Sequence, residues 1–391
     1  MSEAVIVSTA RSPIGRAFKG SLKDERPDDL AAAMVAAALA RIPSFDAADA
    51  TGRGLDDLYL GCAEPSGEAG SNMARVVTIL AGLDNVPGAT INRFCASSLQ
   101  TLRMAFHAIK AGEGHAFVAA GVEAVSRYRD WAGAGETDAS THNPLFDAAR
   151  QRTAARAGSN TPWTDPRLGG RMPDIYIAMG QTAENVATSF GISRADQDAW
   201  AVLSQNRAEA AAASGFYARE ITPYTRKDGT VISRDDSPRT GVTLESVSAL
   251  QPVFRAGGTV TAGNACPLND GAAAVVVMSD VRARELGLEP LARIVSTGVS
   301  ALSPELMGMG PVEASRRALE LAGLGIQDID LVELNEAFAV QVVASARELG
   351  IDHDKLNVHG GAIALGHPFG MTGARMTTTL LNGLSERDAT L

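Results

Sequence analysis

The chain repeats itself. Leu55-Asp56-Asp57-Leu58-Tyr59-Leu60 and Ile329-Asp330-Leu331-Val332-Glu333-Leu334 open similar strand patterns, and aligning Asp57 with Asp330 sets an offset of 273 residues. Without a gap, the same offset places Gly88-Ala89 opposite Gly361-Ala362 and Cys95 opposite Pro368. Each half then reads strand, helix, glycine-bounded strand, helix, with one final helix starting at Cys95 and the other at His367-Pro368. Proline suits the first turn of a helix, where its missing N–H costs nothing. Two copies of a β/α unit, each with a reactive group at the same helix start, predict two similar layers meeting at a pseudo-twofold axis.

A chain of 391 residues exceeds what one core normally supports, so two or three domains are expected. Between the halves, Ser126 to Pro173 is polar and irregular, with Trp131 and Trp163, as in functional loops or partner surfaces. Helices are predicted over Met179–Phe190 and Arg194–Ser214. The stretch Thr225–Gly241 carries Arg226, Lys227, Arg234 and Arg239, and reads equally as a solvated loop or an anion contact. The net charge of −10 argues against a nucleic-acid surface. It leaves room for an anionic small ligand held by a local basic cluster. The three cysteines, Cys62, Cys95 and Cys266, lack CxxC spacing, which points to a reducing compartment and away from structural zinc. No basic segment precedes an apolar run at the N-terminus, and no window reaches the roughly 18 apolar residues of a membrane span. The expectation is a soluble, cytoplasmic protein.

Cys95 ends the short apolar strand Ala89–Phe94 and opens a helix whose apolar face is Leu99, Leu102, Phe106 and Ile109. A thiol over the positive end of a helix dipole is expected to favour the thiolate. Most free cysteines are simply small buried hydrophobes, and Cys62 reads that way. For Cys95 the company decides. In Asn92-Arg93-Phe94-Cys95-Ala96-Ser97-Ser98, Thr261-Ala262-Gly263-Asn264-Ala265-Cys266, Asn335-Glu336-Ala337-Phe338-Ala339 and Asn357-Val358-His359-Gly360-Gly361-Ala362-Ile363-Ala364-Leu365-Gly366-His367-Pro368, the chain resembles the thiolases. That family comprises acetyl-CoA acetyltransferases and 3-ketoacyl-CoA thiolases.

The resemblance implies an α/β fold of duplicated βαβαβ halves in a layered α/β/α/β/α core with an inserted loop domain. It divides the chain into an N-terminal half (1–124), a loop domain for oligomer and CoA contacts (125–250), a return to the first half (251–278) and a C-terminal half (279–391). It implies an acyltransferase that cleaves 3-ketoacyl-CoA with CoA through a cysteine acyl-enzyme, and runs the reverse Claisen condensation. By resemblance Cys95 is the nucleophile, His367 its base, and Asn335 holds a water that forms an oxyanion hole with the imidazole. The backbone N–H of Cys95 would serve a second hole. Sulfur suits the task because it attacks well at modest basicity and leaves well afterwards, and the thioester oxyanion needs donors fixed in advance. Met179, Phe254, Ala262, Cys266, Met307, Ala337 and Phe338 match positions lining the pantetheine and acyl channel. Cys266 stands where serine is common, Ala178 where short-chain biosynthetic enzymes often have histidine, and His359 where asparagine is common, so His359 reads as a supporting residue. His107, His115, His142 and His353 show no partner pattern. CoA and acyl-CoA enter as substrates, with no permanently bound cofactor, no metal and no nucleic acid, and a homodimer or homotetramer is implied. The other readings are a decarboxylating ketoacyl synthase and a non-catalytic acyl-CoA or lipid carrier on the same fold.

The chain departs from the family in one respect. The second acid/base is a cysteine in a late Cys-x-Gly motif, and no cysteine follows Cys266. By the repeat, Leu391 corresponds to Val118, inside the strand pattern His115–Gly121. The expectation is therefore a further C-terminal segment that continues this strand and supplies the missing cysteine.

Overall fold

The computed structural model describes residues 2–128, 142–159 and 161–391. Its centre is a seven-stranded mixed sheet. The contributing strands are β1 (Ala4–Arg11), β2 (Gly15–Arg16), β3 (Asp57–Gly61), β4 (Gly88–Ile91), β5 (Ala116–Ala124), β8 (Asn269–Ser279) and β9 (Ala292–Arg293), while β6 (Tyr224–Thr225) and β7 (Val231–Ile232) form a separate hairpin. The order across the sheet is β4-β3-β5-β8-β1-β9, with β2 on β8. Strands β3, β4 and β5 run parallel, whereas β8 enters antiparallel between β5 and β1. The chain leaves the sheet after β5 and returns some 145 positions later to fill its middle, which holds the intervening segment against the first half.

Alternation along β8 shows why this strand is central. Ala272, Ala274, Val276 and Met278 enter one apolar cluster with the helix Pro27–Ala40. Ala273, Val275 and Val277 enter the opposite one with the helix Ser97–Ala111 and Ala374 of the helix Thr372–Arg387. A strand buried on both faces reads as a nearly continuous apolar run, as Ala272–Met278 does. A third cluster joins the helices Met179–Phe190 and Arg194–Ala213 to the helix Ala339–Leu349.

The second half does not copy the first strand for strand. Its Ile329–Leu334 segment is extended but ladders only through a parallel bridge between Val332 and Leu356, and the Gly361-Ala362 pair opens a helical turn, Ala362–Leu365, where a strand was expected. The gapless offset conceals two compensating changes. In the first half Tyr59 pairs with Ala89, 30 residues on; in the second, Val332 pairs with Leu356, 24 residues on. The six residues removed before the strand reappear after it, between Leu356 and His367-Pro368. At the end of the chain, the amides of Asp330 and Leu331 both donate to the carbonyl of Leu391, at 2.7 and 3.0 Å. This matches the pairing of Asp57 with Phe117 and Leu58 with Val118 in the first half.

The polar stretch from Ser126 to Pro173 contains a helix, Asp147–Arg156, with only Ala149 buried. An apolar period was never there to reveal it; alanine content and an acidic first turn against a basic last one support it instead. Trp131 lies outside the described residues. Among the described residues, no helix is long and apolar enough to cross a membrane.

The two halves touch at Gly121 of β5, where an added Cβ would lie 2.1 Å from the carbonyl oxygen of Gly370. Backbone cannot yield as a flexible side chain does. Gly121→Ala should therefore lower the unfolding free energy by at least about 1–3 kcal/mol in urea titration, and an unchanged midpoint would mean the halves are not in this contact.

Candidate active site

Strand β4 ends at Ile91 and the chain turns sharply into the helix Ser97–Ala111. Phe94 occupies the turn at φ +46° with its ring 71% exposed. A left-handed conformation at a bulky residue costs on the order of 1–3 kcal/mol and persists only where neighbours enforce it. Here Phe94 N donates to Asn92 Oδ1 (2.8 Å), Arg93 N donates to Ser97 Oγ (2.9 Å), and Ser97 Oγ donates to the Phe94 carbonyl (2.6 Å). The turn presents a half-buried Cys95. Its thiol is pushed up to about 12 by burial, with the charge of Glu123 adding to the effect. This overturns the expectation of a helix-stabilised thiolate: desolvation outweighs the dipole, the resting sulfur keeps its proton, and a base is required.

His367 arrives on the inserted turn. Gly366, at φ +110°, lets the chain pass the side chain of Asn269, which a Cβ would meet at 2.5 Å. Asn269 Oδ1 accepts from His367 N (3.0 Å), and its Nδ2 donates to the Gly15 carbonyl (3.0 Å). The Thr372 hydroxyl donates to the Pro368 carbonyl (2.8 Å) and lies 2.7 Å from His367 Nδ1. With its proton directed to Pro368, that hydroxyl must accept from Nδ1–H. The hydrogen-bond network thus assigns the tautomer with a bare Nε2, which faces Asn335 Nδ2 at 3.3 Å. Burial, with the positive charge of Arg375 behind it, holds the imidazole neutral down to about 3. Asn335 Oδ1 is buried without a hydrogen-bond partner.

The turns bearing Cys95 and His367 lie side by side. Ala374 N donates to Ser98 Oγ (2.9 Å), and a Cβ on Gly373 would lie 2.5 Å from Leu99 N. Behind them, Glu123 at the end of β5 accepts from Ala63 N, Glu64 N and Gly370 N at 2.9, 3.2 and 2.7 Å, and from Tyr128 Oη at 2.6 Å. Glu336 similarly fixes Asn335: it accepts from Trp200 Nε1 (3.1 Å), Ser204 Oγ (2.7 Å), Asn357 Nδ2 (2.9 Å) and Ile363 N (3.0 Å).

The remaining expected residues divide between a wall and a mouth. Phe254 stacks edge-on to Phe338, with centroids 6.0 Å apart, and its ring fills the space a Cβ on Gly180 would need. Exposed Met179 starts the helix beside them, and Met307 lies in the 3-10 turn Pro304–Met309 packed on that helix. Cys266 N donates to the Ala337 carbonyl (3.1 Å), and burial pushes the Cys266 thiol up, with Cys95 adding. Ala262 instead lines a cavity of about 340 Å³ shared with Arg16, Arg239, Ser246, Ala265 and Pro267. The basic stretch thus splits. Arg226 and Lys227 pair with Glu25 and Asp29, at 3.3 and 3.0 Å, while Arg239 faces the cavity and, like Arg16, has no ion pair among the described residues. His359 Nε2 lies 2.6 Å from Glu386, its ring stacked on Phe216 and away from the site. Cys62 is buried, 3.5 Å from Glu123. Among the described residues no cluster of His, Cys, Asp and Glu is arranged to hold a metal ion.

Residues 4–281 match the family model "Thiolase, N-terminal domain" and residues 288–391 match "Thiolase, C-terminal domain". The chain is 42% identical to a 3-ketoacyl-CoA thiolase of Bacillus subtilis over 99% of its own length and 94% of that protein's. It is 43% identical to a 3-oxoadipyl-CoA/3-oxo-5,6-dehydrosuberyl-CoA thiolase of Escherichia coli with the same coverage, and 42% identical to an Escherichia coli acetyl-CoA acetyltransferase over 100% and 95%. A crystal structure of the Bacillus anthracis acetyl-CoA acetyltransferase superposes with a TM-score of 0.83 at 36% identity, covering 100% of this chain and 94% of that one.

A histidine held neutral by folding makes stability depend on pH. The folded value, about 3, lies below the unfolded value, about 6.5, so between them the unfolded chain binds the extra proton and stability rises with pH. As pH falls below about 6.5, the wild type should lose stability relative to His367→Gln by up to about 1.4 kcal/mol per pH unit. Parallel stability curves for the two proteins between pH 6.5 and 4 would refute the buried neutral imidazole.

Proposed function

Because the chain belongs to the thiolase family and is an acyltransferase enzyme with thiolase activity, we propose that it cleaves 3-ketoacyl-CoA with CoA, through an acyl thioester on Cys95, and catalyses the reverse condensation. The observation that carries this reading is the bare Nε2 of His367, held beside Asn335 next to the turn that presents Cys95. His367 takes the Cys95 proton as sulfur attacks the keto carbon. Cleavage of the bond between C2 and C3 leaves the acyl group on sulfur and the electron pair on the departing acetyl-CoA as its enolate. That enolate takes a proton at carbon and leaves. CoA then attacks the acyl thioester, Cys95 departs as thiolate, and the proton lost by the CoA thiol replaces the one delivered to carbon. Negative charge on the thioester oxygen is met by Asn335 Nδ2 and by a water held there, a role that its unpartnered neighbour Oδ1 supports. Burial disfavours both ions of the Cys95–His367 pair in the resting state, so proton transfer is coupled to attack.

The cavity of about 340 Å³ suits the CoA phosphates, since Arg16 and Arg239 line it without ion pairs, in a protein of net charge −10. A subunit contact across the first half is supported by the free edge of β4 and the half-exposed Ile79 and Leu80 on the neighbouring helix Met73–Leu80. We take the assembly to be a dimer or tetramer, and a monomer in sedimentation at micromolar concentration would contradict it.

Incubation with acetyl-CoA or a 3-ketoacyl-CoA should add the acyl mass to the Cys95 peptide, and Cys95→Ser should abolish turnover. Label confined to Cys62 or Cys266 would sink the mechanism. Arg239→Gln should raise KM for CoA about tenfold, the scale of one lost charged hydrogen bond, and leave KM for a pantetheine thiol lacking the nucleotide unchanged. Equal effects on both thiols would remove Arg239 from the phosphate site.

A further inference from the structure

A second cavity, of about 160 Å³, lies behind the apolar wall and is lined by four arginines, Arg152, Arg156, Arg171 and Arg255, against one carboxylate, Glu305. Glu305 is already satisfied: it accepts from Arg152 Nη2 (3.0 Å), Trp163 Nε1 (2.6 Å) and Asp174 N (2.8 Å). Arg156, Arg171 and Arg255 form no ion pair among the described residues. Arg255 is the decisive member, because only 5% of it is exposed. Its Nε and Nη2 donate to Gln181 Oε1 at 3.1 and 2.9 Å, and Nη2 also reaches Asn185 Oδ1 at 3.0 Å, but Nη1 is buried with no acceptor. Glu184 acts on it only through space, with its oxygens taken by the amides of Thr259 and Val260. A buried cation without a counter-ion is costly. Burial, with Arg156 adding, pulls the guanidinium below its ordinary value.

The chain order ties this cavity to the wall of the active site. Arg255 follows Phe254, Glu305 precedes Met307 by two residues, and Ile177 and Asn185 flank Met179 on the same segment. We propose that the cavity is a carboxylate-binding subsite that receives the far end of an acyl chain carrying a terminal carboxylate, with Arg255 Nη1 as its buried donor and Arg156 and Arg171 at its opening. Guanidinium groups suit this ligand because their paired N–H donors match the two oxygens of a carboxylate. The acyl-chain assignment rests on the thiolase reading above; the binding of a carboxylate does not.

Two measurements on the full chain separate these claims. Calorimetric titration with adipate should give saturable binding that is lost in Arg255→Gln and weakened in Arg171→Gln, an exposed position whose replacement leaves folding intact. Absence of saturable heat, equal binding in both variants, or tighter binding of inorganic phosphate than of adipate would overturn the carboxylate site. Thiolysis should then be compared for six- and eight-carbon 3-ketoacyl-CoA pairs ending in carboxylate or in methyl. Arg255→Gln should lower kcat/KM for the carboxylate member about tenfold to a hundredfold, the range expected for one charged hydrogen bond, and that for the methyl member less than about threefold. Equal losses on both members would overturn the acyl-chain assignment. If no thioester were turned over by the wild type, the thiolase reading would fail, and the calorimetry alone would decide the cavity.

Discussion

The carboxylate of Glu123 is the point on which the arrangement turns. It lies buried at the end of a central strand and receives amides from the loop after β3, from the His367-bearing loop and a hydroxyl from Tyr128. Burial raises its pKa, while the donors pull the other way and lower it. A buried carboxylate accepting several hydrogen bonds is expensive to leave unpaired and so defines one geometry for the segments that serve it. Two segments more than 200 residues apart are thereby held in register, Cys95 above one and His367 above the other.

The price of that location is visible in the chemistry. The same burial that orders the two turns removes water from sulfur and imidazole, which favours the neutral form of each. A thiolate preformed by a helix dipole would have been reactive towards any electrophile. A neutral pair becomes ionic only while a substrate carbonyl is present to receive the charge, so the resting site is quiet without being blocked.

The features legible in the sequence were those whose meaning is local. Cys95 at a strand-to-helix junction, the glycines around His367 and the helices at Met179 and Arg194 announce themselves within windows of ten or twenty residues. Glu123, Asn269, Thr372 and Glu336 do not, since the groups they hold lie up to 247 positions away. Of these, Asn269 and Glu336 sat inside or beside quoted motifs, and Thr372 lies five residues after His367, so a search for side chains able to orient the imidazole could have found them. The helix Asp147–Arg156 escaped because it has almost no buried face. The thiolate expectation failed for a related reason: a dipole is a property of one helix, and desolvation is a property of everything packed around it.

The six residues exchanged between the two halves carry a consequence of their own. A nucleophile must be held still, whereas a base must reach across to it, and a strictly symmetric duplication would give both the same length of arm. By shortening the approach to one strand and lengthening the exit from it, the second copy keeps its helix in the symmetric position and gains a projecting turn, Gly361–Gly366, that carries the imidazole over to β8. The duplication supplied the frame twice; the shift in where each copy places its slack let one become an anchor and the other a lever.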